Sequence, residues 1–97
     1  MDSELVIVAH ITANSGQLDL VKSELKKLIE PTLKEEGCLQ YDLHQDHEDS
    51  LRFLFFERWQ NRDLWQAHMN SPHIEALREA TEGAIATVEV QEMGKVS

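Results

Sequence analysis

Six side chains in this sequence are of the types that act on aromatic or phenolic molecules: Trp59, His68, Glu57, Tyr41, Phe55 and His73. An indole offers a flat apolar wall and one N–H donor. A neutral imidazole can take a proton from a phenol, because its ordinary pKa lies near working pH. A carboxylate on an apolar strand face must find a partner. For Glu57 the candidates are Arg78, Lys34 or a histidine, since Arg58 alternates onto the opposite face. Each residue also has a plainer reading. Trp59 fits a core position under a helix, and His68 fits a hydrogen-bonded packing role at a helix junction. Tyr41 fits the core with its hydroxyl satisfied, and Glu57 fits a structural salt bridge. His73 follows Pro72 in the first turn of a helix, where the dipole disfavours a cation, so it reads as neutral. It belongs at a pocket mouth, at the surface or in a cap. Cys38 has no adjacent cation to activate it and reads as a small buried residue.

These groups need elements to hold them. From Glu4 to Ala13 an alternating run predicts a strand whose two faces are both largely apolar. Asn14-Ser15-Gly16 reads as a turn and helix start, with Asn and Ser accepting free N–H groups of the first turn. Leu18, Val21, Leu25, Leu28 and Ile29 then recur at helical spacing, and Pro31 should interrupt that helix. Gly37 ends it. Cys38 to Asp46 and Leu51 to Trp59 alternate as a hairpin, with Tyr41 on one inward face and Phe55, Glu57 and Trp59 on the other. Asn61 caps a short helix from about Arg62 to Met69, and Ser71-Pro72 starts another that ends at Gly83. Ala84 to Met93 form the last strand.

The element order β-α-β-β-α-β, with the second helix broken in two, is the ferredoxin-like α+β pattern. It predicts an antiparallel sheet with helices on one face. The other face carries Val6, Val8, Leu54, Phe56 and, on the last strand, Ala84, Ala86, Val88 or their neighbours. That is much apolar surface to leave in water, so a homodimer through the open sheet face is expected.

At 97 residues the chain has room for one domain, 1–97, with its core in about 4–93. A net charge of −9 argues against nucleic acid, which requires clustered Lys and Arg. No window approaches a membrane span. The acidic N-terminus does not resemble a signal peptide, and a single cysteine fits a reducing compartment, so a soluble cytoplasmic protein is expected. There are five histidines but no pair at i, i+4 or C-x-x-C spacing, so no metal is expected. Glycine-rich phosphate loops are absent too, so no nucleotide cofactor is expected.

Three local patterns coincide, in order, with those of one family. Glu35-Glu36-Gly37-Cys38-Leu39-Gln40-Tyr41 is similar to its E-x-G-C-x-x-Y turn. Glu57-Arg58-Trp59 is similar to its E-x-W strand end, and Ala67-His68-Met69-Asn70-Ser71-Pro72-His73 to its A-H-x-x-S-P-H junction. The chain thus resembles the antibiotic biosynthesis monooxygenase (ABM) family over nearly its whole length. That resemblance implies a dimeric α/β barrel with a pocket between sheet and helices in each subunit. It implies oxygenation of a quinol or other electron-rich aromatic without metal or flavin, with Trp59 in the pocket. In the haem-degrading relatives a helix histidine ligates iron and the first strand carries an asparagine; Arg78 and Ala9 stand there, so haem is not expected. The resulting expectation is a cofactor-independent monooxygenase. His68 and Trp59 would be catalytic, and Tyr41, Phe55, Glu57 and His73 would contact a small aromatic substrate. The alternatives are a non-catalytic dimeric binding or stress-response module, and an isomerase of a small phosphorylated ketone.

Overall fold

Ile7, Ala9, Ile11 and Ala13 alternate along β1 (Leu5–Ala13), and all four are buried. Their face looks toward the helices, while Val6 and Val8 on the opposite face are only half-buried. The computed structural model describes residues 4–97. Its remaining elements are α1 (Leu18–Lys26), α2 (Ile29–Leu33), β2 (Cys38–Gln45), β3 (Arg52–Trp59), α3 (Arg62–Met69), α4 (Pro72–Ala80) and β4 (Ile85–Met93). The strands form an antiparallel four-stranded sheet in the order β2-β3-β1-β4, open at both edges. This is the expected ferredoxin-like α+β architecture. Val21, Leu25 and Leu28 from the first helical segment, with Trp65 and Ile74 from α3 and α4, complete a core with Phe53, Phe55 and Trp59 of β3.

Local chemistry sets most boundaries. Asn61 is extended and accepts from Leu64 N at 2.9 Å, so α3 starts there. Ser71 accepts from Ile74 N and Pro72 occupies the first turn, so α4 starts independently. The first helix breaks near Lys27 and Leu28, upstream of Pro31 rather than at it. Pro31 has no N–H for the carbonyl four residues before it, that of Lys27, and its ring crowds that carbonyl. The chain tightens there, with Leu28 N bonded to Leu25 O, before the short α2 forms.

Two sequence expectations need correction. Asn14 does not cap α1. Gln17 occupies the cap without a side-chain bond, and Asn14 Nδ2 donates instead to Gly83 O at 3.0 Å, tying two turns together. The last strand also faces the other way from what was expected. A register shift at Thr12/Ala13 places Val88 opposite Ile11 and Val90 opposite Ala9, on the helix side, while Ala84 is buried just before β4 begins. An irregularity of one residue exchanges the two faces of a strand. The open face is therefore apolar mainly at Val6, Val8, Leu54 and Phe56, and β4 contributes Thr87, Glu89, Gln91 and, opposite Val6, Met93. Among the described residues no helix is long and apolar enough to cross a membrane.

Candidate active site

A cavity of about 300 Å³ lies between the helix face of the sheet and the helices. Ile7, Ala9 and Ile11 form its floor, with Tyr41, Phe55 and Glu57 from the hairpin and Trp65 and His68 from α3. Its walls are mostly apolar, so the few polar atoms that reach it decide its chemistry.

His68 is the most enclosed of these groups, at 1% exposure. Its capped helix sets it against the Trp59 ring at 4.8 Å between centroids, with Tyr41 edge-on at 5.5 Å. Its Nδ1 lies 2.6 Å from Glu35 Oε2. The same oxygen is 2.7 Å from Nε2 of His73. A carboxylate can only accept, so both nitrogens that face Glu35 carry protons. That tautomer leaves Nε2 of His68 with a free lone pair, and it has no hydrogen-bond partner among the described residues. Burial pushes the His68 pKa below its ordinary value, opposed by the hydrogen bond and charge of Glu35, so the ring is neutral and basic at working pH.

Glu57 is buried on the same wall, and its partner is not a cation. Oε1 accepts from Trp59 Nε1 at 2.9 Å. Burial raises its pKa from 4.5 to about 7; the indole bond opposes that rise and the charge of Glu35 adds to it. The expected pairing with Arg78, Lys34 or a histidine is thus replaced by a pairing two residues along one strand face. Tyr41 stacks on Phe55 at 4.6 Å, and burial, followed by the charge of Glu57, holds its hydroxyl protonated. The Cys38 thiol is pushed up to about 11, first by burial and then by Glu35 and Glu57, so it is not a nucleophile.

Four of the six sequence candidates, Tyr41, Phe55, Glu57 and His68, line the cavity. The other two stand behind it. Trp59 is fully buried beneath His68 and spends its N–H on Glu57, so it supports the wall rather than forming it. His73 sits not at the mouth but against Glu35. Glu35 itself was not singled out. It was visible only as the acid opening the E-x-G-C turn, with its partners 33 and 38 residues away. Trp65, also missed, is apolar and at helical spacing, which marks a core residue as readily as a pocket wall. Arg78, at the cavity, donates to Met69 O. Glu35, His68 and His73 also place three potential metal-ligand atoms within 4.8 Å of one another. Spacing along the chain could not show this set, because its members come from a turn and two helices.

The comparisons with known proteins agree with this fold. The family model described as antibiotic biosynthesis monooxygenase matches residues 5–80. The Escherichia coli protein named probable quinol monooxygenase YgiN is 27% identical over 90% of this chain and 93% of its own length. The Synechocystis protein sll1783 is 27% identical over 88% of this chain, which spans only 58% of that relative's length. Among solved structures, PA3566 from Pseudomonas aeruginosa superposes with a TM-score of 0.95 at 33% identity, covering 100% of this chain and 98% of that one. With the fold and the match over residues 5–80 in agreement, the chain belongs to the antibiotic biosynthesis monooxygenase family.

Proposed function

We propose that this protein is a cofactor-independent monooxygenase that oxidises a quinol or similar electron-rich phenol with molecular oxygen. The observation that carries the reading is a buried, neutral His68 that lines an apolar cavity of about 300 Å³ with Nδ1 held by Glu35 and Nε2 left unprotonated. That volume lies at the lower end of the range for small-molecule sites. The relatives' names support the reaction class, and one of them is named for a quinol.

The reaction asks little of the protein. Nε2 of His68 removes the phenolic proton, and Glu35 holds the ring and stabilises the imidazolium that forms. The phenolate, shielded from water, passes one electron to oxygen, and the resulting radical pair combines at a ring carbon. The hydroperoxide loses water, so quinol plus oxygen yields hydroxyquinone plus water, with the substrate supplying every electron. Tyr41 and Phe55 provide the aromatic wall, and Glu57 donates or accepts a hydrogen bond according to its protonation. An isomerase of a phosphorylated ketone is less well supported, because Arg58 and Arg62 are paired with Glu4 and Glu92, leaving Arg78 as the cationic side chain at the cavity. We place the functional unit in a homodimer through Val6, Val8, Leu54 and Phe56.

The test is oxygen uptake and product mass with a panel of quinols, using metal-free protein. His68→Ala should lower kcat by about 10²–10⁴-fold with KM little changed. Equal loss of both constants, or oxygen uptake unaltered by the substitution, would remove His68 as the base.

A further inference from the structure

We propose that Glu35, His68 and His73 form a site for one divalent transition-metal ion of the zinc, cobalt or nickel class, and that the ion switches off His68 as a base. The binding half stands apart from the function proposed above. The switching half rests on it.

The donor set selects the ion. Two imidazole nitrogens and one carboxylate oxygen suit zinc, cobalt and nickel, whereas calcium and magnesium require mostly oxygen. The three ligand atoms, Glu35 Oε2, His68 Nδ1 and His73 Nε2, lie within 4.8 Å of one another, and the two imidazole rings are 5.9 Å apart at their centroids. With bonds of about 2.0–2.1 Å, a tetrahedral ion holds its ligand atoms roughly 3.3 Å apart. The present N···O separations of 2.6 and 2.7 Å are those of two hydrogen bonds sharing one oxygen. One cation in place of the two hydrogen bonds requires each N···O separation to open by about 0.6–0.7 Å. Glu35 can make this movement, because it lies in the turn after α2 with its side chain 16% exposed. His73 is 21% exposed, so an ion has a route from solvent that avoids the cavity. No lysine or arginine is paired with Glu35 among the described residues, and the chain's net charge of −9 favours a cation.

The consequence for His68 follows from its two nitrogens. With Nδ1 bound to the ion, the neutral ring carries its single proton on Nε2. The proton has moved across the ring and none is lost. Nε2 then offers the cavity a donor where it previously offered a lone pair, and a donor cannot take a phenolic proton. The same cluster therefore has two states, one held by protons with a basic Nε2 and one held by metal without it.

The experiment titrates metal-free protein with Zn²⁺ by calorimetry and with Co²⁺ by visible absorption, and follows the His68 ring nitrogens by NMR. We expect one ion per chain, with binding weakened at least tenfold by Glu35→Gln and by His73→Gln. His47→Gln, at an exposed histidine of the hairpin loop, should bind as the wild type does. Zn²⁺ should move the Nε2 resonance of His68 from unprotonated to protonated. No saturable binding below about 1 mM, or binding that survives both Glu35→Gln and His73→Gln, overturns the site. Binding without movement of the Nε2 resonance overturns the switch. None of these readouts uses turnover, so they stand or fall separately from quinol oxidation.

Discussion

The two ends of the cavity are built differently. At the hairpin end, five polar side chains are tied in two sets, Glu35 to His68 and His73, and Glu57 to Trp59, beneath the stacked rings of Tyr41 and Phe55. At the β4 end the lining is aliphatic and loosely covered, with Val88 and Val90 exposed by 58% and 41% although both face the cavity. In the proposed reaction, the first end would orient the base and the second would admit the substrate. Orienting a base requires atoms held within hydrogen-bond distance, whereas an entrance needs only apolar surface that closes on a guest.

The largest expected effect is at the closed end. Gly37 has φ +86°, and a Cβ there would lie 2.8 Å from Leu64 Cβ. Gly37→Ala should therefore cost roughly 3–4 kcal/mol in urea unfolding, from backbone strain plus overlap with α3. Gly16 has φ +83° but nothing near it, so Gly16→Ala should cost only about 1–2 kcal/mol. Equal losses would mean that the overlap with Leu64 adds nothing to the backbone strain.

Glu57 gives a pH signature. Its folded pKa is about 7 against 4.5, so between those values the native state holds a proton that the unfolded state releases. Its contribution is thus fully present below pH 4.5 and is lost as pH rises through 7, by about 3 kcal/mol in all. Glu57→Gln should flatten stability across that window, and an unchanged slope would mean the carboxyl is not desolvated as described. His68 acts in the opposite sense below 6.5, where the unfolded ring takes a proton that the buried ring refuses.

Trp59→Phe removes the donor to Glu57 while keeping an aromatic ring under His68. The expected loss is roughly 2 kcal/mol, larger at pH 8 than at pH 5 because the ionised carboxylate misses the donor more. A pH-independent loss would reduce Trp59 to packing. Val88→Thr, at the open end, should change stability by less than about 0.5 kcal/mol and show itself in KM.

The sequence by itself determined the elements and their order. Alternation along β1 and β3, the caps at Asn61 and Ser71-Pro72, and the breakers Pro31 and Gly37 act over a few residues, so they are legible in the chain. The three quoted motifs also carried the family and three residues of the cavity wall, Tyr41, Glu57 and His68. Only the tertiary structure decided which acid holds His68, what Glu57 bonds to, and that Trp59 stands behind the site instead of in it. Glu35 meets its histidines across 33 and 38 residues, through the joint packing of a turn and two helices. The side of the sheet on which Val88 falls depended on one irregular pairing at Ala13. Short-range patterns cannot encode such outcomes, because a shift of one residue or a few ångströms of helix placement changes the partner without changing the pattern.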